Sequence, residues 1–171
     1  MKNAVLWVLF IGDMHLSKAI ENGAIGMIEK WIIPCNVKRF DVIEHFKTSD
    51  TVVWKNSFTI RTGDIVYVYL GAPYGEIRYR CIVISDTVDD ETLQKNQYAI
   101  QEKPSNNYFS KKIKYIQLKL DCEFPAGLLT LTKLKEHGLG QVQIQARADR
   151  TLRTYIESKE RALMEGDEDN G

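Results

Sequence analysis

Short apolar runs separated by turn residues occupy the middle of the chain. The most apolar run, 65–70, has apolar or aromatic residues at every position, which predicts a central strand buried on both faces. The Gly- and Pro-containing segment 71–75 then predicts the turn of a hairpin. The second hairpin strand, 77–84, alternates, and the residues expected to face the core are Ile77, Tyr79, Cys81 and Val83. Further strands are predicted at 30–36, 51–54 and 112–121.

Helical spacing follows the first of these strands and returns near the end of the chain. Residues 38–47 place three apolar side chains on one helical face, and a second helix at about 130–137 ends at a His-Gly pair. A third helix begins after Asp149, which is a good N-cap residue. The segment 86–107 is a polar excursion between strands. The pattern therefore predicts an α+β fold, with a curved, mostly antiparallel sheet or barrel flanked by helices.

The net charge of the chain is zero, but its charged residues are unevenly distributed along the sequence. The chain has 23 basic and 23 acidic residues, but acidic residues predominate in 1–29 and 162–171. The remaining segment, 30–161, holds 21 basic and 16 acidic residues, a net charge near +5. Such a balance permits a phosphate-binding face without requiring one. We expect an N-terminal extension at 1–27, one domain at 28–160 and an acidic tail or linker at 161–171.

The N-terminal apolar run weakly resembles a signal sequence, since Lys2 precedes the apolar residues 4–12. The run is too short to span a bilayer, and no small-x-small cleavage site follows it. We therefore expect either an extra element packed on the domain or an upstream extension ending before Met27. The cysteines, Cys35, Cys81 and Cys122, are odd in number and scattered. They favour free thiols in a reducing cytoplasm, away from any membrane.

Patterns that carry catalysis or metal binding are missing from the sequence. It contains no phosphate-binding glycine loop, no catalytic serine elbow, and no Cys or His spacing typical of zinc sites. Asp64 and Glu76 flank the predicted hairpin and suggest a carboxylate pair, but Gly-Asp before a strand is usually turn chemistry. We therefore expect a protein that is not an enzyme and that needs no cofactor and no metal.

Aromatic residues beside amide and hydroxyl groups are the strongest functional signal. Trp31 lies in a predicted strand close to Cys35 and Asn36, and Trp54 is followed by Lys55-Asn56-Ser57. A nucleobase flipped out of a strand needs rings to stack on and polar groups at its edge. For each tyrosine of the hairpin, a place in the core is the better explanation. For Trp54 a functional role is favoured, because it ends a strand and polar residues follow it.

Several stretches together resemble the EVE domain, a family of PUA-like barrels related to the YTH and SRA readers. They are 31–41 with Trp-x-x-Pro-x-Asn, 51–55, 63–74 with Gly-Asp-Ile-Val-Tyr, and 77–83. The later segment 131–139 resembles the one these domains carry at the head of HNH-type, modification-dependent restriction endonucleases. The resemblance covers about 28–160.

This resemblance implies a reader that flips a modified base of DNA into an aromatic cage. The base would be methylated or hydroxymethylated cytosine, or methyladenine. The protein would be the sensor of a restriction or defence system, with a nuclease domain fused or associated. By position, Trp54 corresponds to the cage tryptophan, and Cys35 and Asn36 to the place where the base edge is contacted. Alternatives are an RNA-binding module of the same fold and, less favoured, an enzyme acting on a nucleotide.

Two sets of site residues follow from the aromatic pattern, the charges and the resemblance. The predicted base-binding residues are Trp31, Cys35, Asn36, Trp54, Asn56, Tyr67, Tyr74 and Tyr79. The predicted phosphate-binding residues are Lys38, Arg39, Lys55, Lys111, Lys112, Arg147 and Arg150. The sequence does not distinguish DNA from RNA, and it does not identify the modification.

Overall fold

A computed structural model describes residues 27–95 and 114–166. Its strands are β1 (Lys30–Cys35), β2 (Thr51–Asn56), β3 (Ile65–Leu70), β4 (Glu76–Ser85), β5 (Lys114–Glu123) and β6 (Ala146–Arg147). The helices within the described ranges are α1 (Val42–Thr48), α2 (Asp90–Lys95), α3 (Leu131–Glu136) and α4 (Arg150–Gly166). The predicted strands are confirmed to within two residues at each described end. Helix α2 falls in the segment that we predicted as a polar excursion.

The strands form a single curled sheet in the order β2-β5-β4-β3-β1-β6. β1 pairs with β3 in parallel, and the other neighbouring strands pair antiparallel. The hairpin predicted around residues 71–75 is the β3–β4 pair. The α+β class with a curved, mostly antiparallel sheet is therefore confirmed.

Strand β3 separates two apolar layers, and all six of its residues are buried. Val66, Val68 and Leu70 contribute to one cluster, which we call the inner layer because the sheet curls around it. Tyr67 and Tyr69 contribute to the opposite cluster, the outer layer, which α3 and α4 cover. The continuous apolar run at 65–70 reflects this burial on both faces.

A bulge in β4 places Ile77 on the face of the sheet opposite to the predicted one. Val68 pairs with Tyr79, and Tyr69 pairs with Ile77. Arg78 is therefore an extra residue, with no residue of β3 opposite it. An extra residue reverses the alternation of faces along a strand. Ile77 consequently lies in the outer layer, while Tyr79, like Cys81 and Val83 beyond it, lies in the inner layer as predicted.

Helix α1 connects β1 to β2 and packs against the inner layer. It starts later than the predicted residue 38, because the carbonyl of Asn36 first accepts hydrogen bonds from the N–H groups of Arg39 and Phe40. The Asp41 side chain then caps the helix. The predicted apolar face is confirmed, since Phe40 and its helical partners at positions 43 and 46 contact the inner layer.

Helix α4 lies on the outer layer. Asp149 is its N-cap as predicted, because its carboxylate accepts the N–H of Leu152 at 2.8 Å. Leu152 and Ile156 are buried in the outer layer, and the helix continues to Gly166, beyond the domain boundary predicted at 160. Among the helices of the described ranges, none is long and apolar enough to cross a membrane.

The two edges of the sheet, β2 and β6, are joined by the side chain of Gln145. Its Nε2 donates to the carbonyl of Lys55 at 2.6 Å, and its Oε1 accepts the N–H of Ser57 at 3.0 Å. Gln145 directly precedes β6 and is buried. A side-chain amide thus makes the donor-and-acceptor pair that a neighbouring strand would offer to β2. The two edges of the curled sheet therefore meet at this residue.

Candidate nucleic-acid interface

Trp54 and the loop from β1 to α1 lie next to each other. Trp54 is half-buried and packs against the inner layer near the end of β2. Its ring centroid lies 5.7 Å from that of Phe40, with the rings nearly edge to face. Phe40 belongs to the loop that begins at Asn36, so the structure brings together two of the regions predicted to contact a base.

The rim beside Trp54 carries several of the predicted phosphate-binding residues. Lys38 and Arg39 are exposed in the same loop, and Lys55 directly follows Trp54. The Asn36 side chain accepts the N–H of Lys38 at 3.1 Å, which fixes the start of this loop while leaving the residue exposed. A polar amide and two exposed cations therefore lie in the loop next to a partly open ring, and a third cation follows that ring along β2.

Cys35 lies beneath this loop and not at its surface. The residue is 2% exposed, and its thiol donates to the carbonyl of Phe40 at 3.5 Å. Burial raises the pKa of the thiol to about 12, so it is neutral at ordinary pH. The predicted contact of Cys35 with a base edge is therefore corrected: its buried side chain supports the loop from within.

Trp31 is fixed in the core by Asp64. Its indole Nε1 donates to Asp64 Oδ2 at 3.0 Å, and the ring is 3% exposed. Asp64 also accepts the N–H groups of Glu29 and Arg61, at 3.1 and 3.0 Å. The Gly-Asp pair before β3 thus stabilises a turn, as predicted. Trp31 is therefore a buried member of the inner layer that supports the fold.

Asn56 organises the turn that follows β2. Its Nδ2 donates to the carbonyl of Ile60 at 2.9 Å, and its Oδ1 accepts the N–H of Phe58 at 3.2 Å. The side chain is buried, and these two hydrogen bonds use both ends of its amide. Asn56 therefore holds a turn in the place where we predicted a contact with a base.

The three predicted tyrosines are divided between the two faces of the sheet and the β3–β4 turn. Tyr79 is buried in the inner layer, with its ring 4.9 Å from that of Phe46. Tyr67 is buried on the opposite face, where its hydroxyl donates to Glu160 at 2.9 Å. Tyr74 is 46% exposed in the β3–β4 turn. Burial raises the pKa of Tyr79 to about 12, and burial and Glu160 together raise that of Tyr67 further.

The remaining predicted cations lie apart from Trp54 or outside the described ranges. Arg147 forms an ion pair with Glu29 at 3.5 Å and lies over the Trp31 ring, 5.2 Å from its centroid. Arg150 begins α4 and borders an outer groove that also includes Tyr155. Lys111 and Lys112 lie outside the described residues, as does the N-terminal segment 1–26.

A groove that the sequence analysis missed lies past the end of β2. It has a volume of about 530 Å³, and its lining includes Asn56, Phe58, Arg61, Asp86, Lys114 and Tyr115. The signal that could have indicated it was Phe58, which is flanked by Ser57 and Thr59 and followed by Arg61. Within 27–95 and 114–166, no group of three or more His, Cys, Asp or Glu side chains could hold a metal ion.

The mixed sheet is curled around one apolar layer with helices packed on both sides, which is a PUA-like fold, as predicted. The chain is similar to ASCH from Zymomonas mobilis, with 13% identity, a TM-score of 0.53, and 76% of this chain and 94% of that chain covered. It is also similar to a hypothetical protein from Leishmania major, with 16% identity, a TM-score of 0.53, and 80% and 97% covered.

A third similar structure is human THYN1 in complex with DNA that contains 5-methylcytosine. The identity is 11%, the TM-score is 0.51, and 76% of this chain and 96% of that chain are covered. No family model matches the chain, and no curated protein matches it. At these identities the likeness shows the fold.

Proposed function

We propose that this chain is a nucleic-acid-binding reader that holds a modified base of DNA, flipped out of its strand, against Trp54. The observation that carries the proposal is the half-buried Trp54 ring beside the Asn36–Phe40 loop. The base would be a methylated or hydroxymethylated cytosine, or methyladenine. The complex of THYN1, which has the same fold, with 5-methylcytosine-containing DNA supports this choice of ligand.

Recognition would divide between the ring, the loop and the rim. Stacking on an aromatic ring contributes about 1–3 kcal/mol per base, which helps to offset the cost of unstacking the base from its strand. The Asn36 amide, exposed in the neighbouring loop, would contact the base edge, and Lys38, Arg39 and Lys55 would hold the flanking phosphates. Phosphate contacts position the strand, while the pocket discriminates between bases.

We also propose that the chain binds without catalysis. The carboxylates of Asp64 and Glu76 accept N–H groups of the fold, and the Cys35 and Cys81 thiols are buried with raised pKa values. None of these groups is presented to a ligand. Together with the EVE resemblance, this favours the sensor of a restriction or defence system, with a nuclease fused or associated. Its free cysteines suit the reducing cytoplasm.

Replacing Trp54 tests the proposal. Duplexes identical except for one unmodified, methylated or hydroxymethylated cytosine, or one methyladenine, are titrated against the wild type and Trp54→Ala. We expect the wild type to prefer one modified duplex. Because one stacked base is lost, the variant should bind roughly tenfold to hundredfold more weakly and lose the preference. Tyr155→Ala, which removes a ring stacked on His137 on the outer side, is the matched control and should bind normally.

Melting of each variant is measured alongside binding. Truncation of a fully buried tryptophan costs about 3–5 kcal/mol, so the half-buried Trp54 should cost less. If Trp54→Ala binds modified DNA as the wild type does, the ring is core packing and the proposal is wrong. Binding confined to RNA oligonucleotides would instead identify an RNA-binding module, and turnover of a nucleotide would identify an enzyme.

A further inference from the structure

The groove past the end of β2 begins two residues from Trp54. Asn56, which lines it, lies two residues beyond Trp54 on the same strand, a distance of about 7 Å in extended chain. Tyr115 on β5 pairs with Lys55, so the opposite wall starts directly beside the rim. The groove is therefore within reach of a nucleotide next to a base placed at Trp54.

Phe58 gives the groove an open aromatic surface on a rigid support. The residue is 43% exposed, but its ring centroid lies 5.9 Å from that of the buried Trp31. The Phe58 N–H is bonded to Asn56, and the adjacent Ser57 N–H is bonded to Gln145. A fixed ring with one open face stacks on any base, because every base has a flat face.

The charges of the lining suit a phosphate. Arg61 and Lys114 are exposed cations, while Asp86 is the acidic residue of the lining. Asp86 is bonded in both directions to Thr62, since its carboxylate accepts the Thr62 N–H and its own N–H donates to the Thr62 hydroxyl. The acid thus belongs to a local turn, and the net charge of the lining is positive.

We propose that this groove binds a nucleotide adjacent to the base held at Trp54, on the same strand. Phe58 and Tyr115 supply the stacking surface, and Arg61 and Lys114 bind the phosphate. This inference rests on the proposed function and extends it, since it adds a sequence-independent interaction to a modification-dependent one. Different variants remove the two interactions, so the contribution of each to binding can be measured separately.

The ring is tested with Phe58→Leu, which keeps apolar volume but removes the aromatic face, and with Phe58→Tyr, which restores it. Binding is titrated with the modified and unmodified duplexes and with single-stranded DNA. We expect Phe58→Leu to weaken all of them by about tenfold while keeping the preference for the modified base. Phe58→Tyr should bind as the wild type does.

The cations are tested with the double variant Arg61→Gln/Lys114→Gln. The slope of log K against log salt should decrease in magnitude by about 0.7–0.9 for each phosphate that the variant no longer neutralises. Lys135→Gln, an exposed lysine on α3 at the outer side, is the matched control and should leave the slope unchanged. Thermal melting of each variant shows that the fold is kept.

Several outcomes would overturn the proposal. Unchanged affinity and salt slope in the groove variants, with Trp54→Ala still impaired, would refute the groove and leave the proposed function standing. Loss of the modified-base preference in Phe58→Leu would assign the ring to the base pocket itself. If the wild type binds no oligonucleotide, the proposed function is wrong and the groove proposal is wrong with it.

Discussion

Asp64 shows how a single buried carboxylate can organise the region that supports the candidate site. Its two oxygens accept the N–H of Glu29 at the start of β1, the indole N–H of Trp31 and the N–H of Arg61 in the turn before β3. The residue is 7% exposed. Hydrogen bonds to a charged group contribute about 1.5–3 kcal/mol, so Asp64 ties the start of β1 to the turn before β3 more strongly than a neutral group would.

Replacing Asp64 with asparagine should destabilise the fold by about 2–3 kcal/mol. The amide is nearly the same size, but one of its two ends can no longer accept an N–H, and a buried donor loses its partner. Urea unfolding monitored by tryptophan fluorescence measures the change. Asp50→Asn, an exposed aspartate next to β2, is the control and should change stability by less than about 0.5 kcal/mol. Equal effects of the two substitutions would contradict this account of Asp64.

The alternation of side chains along a strand predicts which site residues share a face, but it does not predict what covers that face. Trp31, Ile33 and Cys35 share one face of β1, and this parity is readable from the sequence. Whether that face borders a pocket or a closed core depends on what packs against it, which local sequence does not contain. Trp54 could be singled out because polar residues follow it. Phe58 was overlooked because its environment depends on residues far away in the chain.

At the scale of elements, the bulge at Arg78 and the hydrogen bonds of Gln145 are the features that local patterning missed. Ile77 is apolar and suits either layer, so alternation alone could not indicate that β4 changes faces there. Gln145 looks like one of several polar residues before α4. Its importance comes from meeting Lys55 and Ser57, about 90 residues away in sequence.

The Gln145→Glu variant should separate the two hydrogen bonds that join the sheet edges. Glutamate keeps an acceptor for the Ser57 N–H but places an oxygen where Nε2 now donates to the carbonyl of Lys55. We expect a decrease of about 1–3 kcal/mol in the free energy of unfolding, because a buried acceptor loses its donor. Gln143→Glu, exposed two residues earlier, adds the same charge and should be nearly neutral.

Amide exchange distinguishes the role of this side chain from general destabilisation. The Ser57 N–H should exchange faster in Gln145→Ala, where its acceptor is gone, than in Gln145→Glu, where an acceptor remains. Equal stability of the variants at 143 and 145, or unchanged exchange at Ser57 in Gln145→Ala, would show that the edges of the sheet meet without help from Gln145.

For the whole molecule, the class of fold was predictable and one feature of its topology was not. Apolar runs of strand length, turn residues between them and terminal helices sufficed to predict the curved α+β sheet. The parallel pairing of β1 with β3 was not predicted, because the hairpin signals indicated only a mostly antiparallel sheet. Helix α1 and strand β2 lie between these partners in sequence, and their spatial arrangement depends on the curl of the complete sheet.

The inner layer should make the protein sensitive to alkali. Burial raises the pKa of Cys35 and of Cys81 from 9.0 to about 12, and that of Tyr79 from 10.0 to about 12. Each group is neutral when protonated, so the folded state binds more protons than the unfolded state in this range. Stability should be full below about pH 9 and fall as pH rises towards 12, by up to about 1.4 kcal/mol per pH unit for each thiol.

Urea unfolding between pH 8 and pH 11 under reducing conditions measures this dependence. Cys81→Ala should lower stability at neutral pH, because it removes a buried side chain, but should also make the alkaline decline shallower by the share of one thiol. Parallel pH profiles for the variant and the wild type would contradict the assignment of Cys81 as a buried, neutral group.

The position of β1 in the sheet has a consequence for how the chain is made. Both neighbours of β1, β3 and β6, follow it in sequence, and β6 is the last strand of the described chain. As the polypeptide leaves the ribosome, one edge of β1 therefore stays unpaired until almost the whole domain has emerged. Exposed strand edges recruit other chains. Pro34, which has no N–H to offer, removes one donor from this strand and limits such pairing between nascent copies.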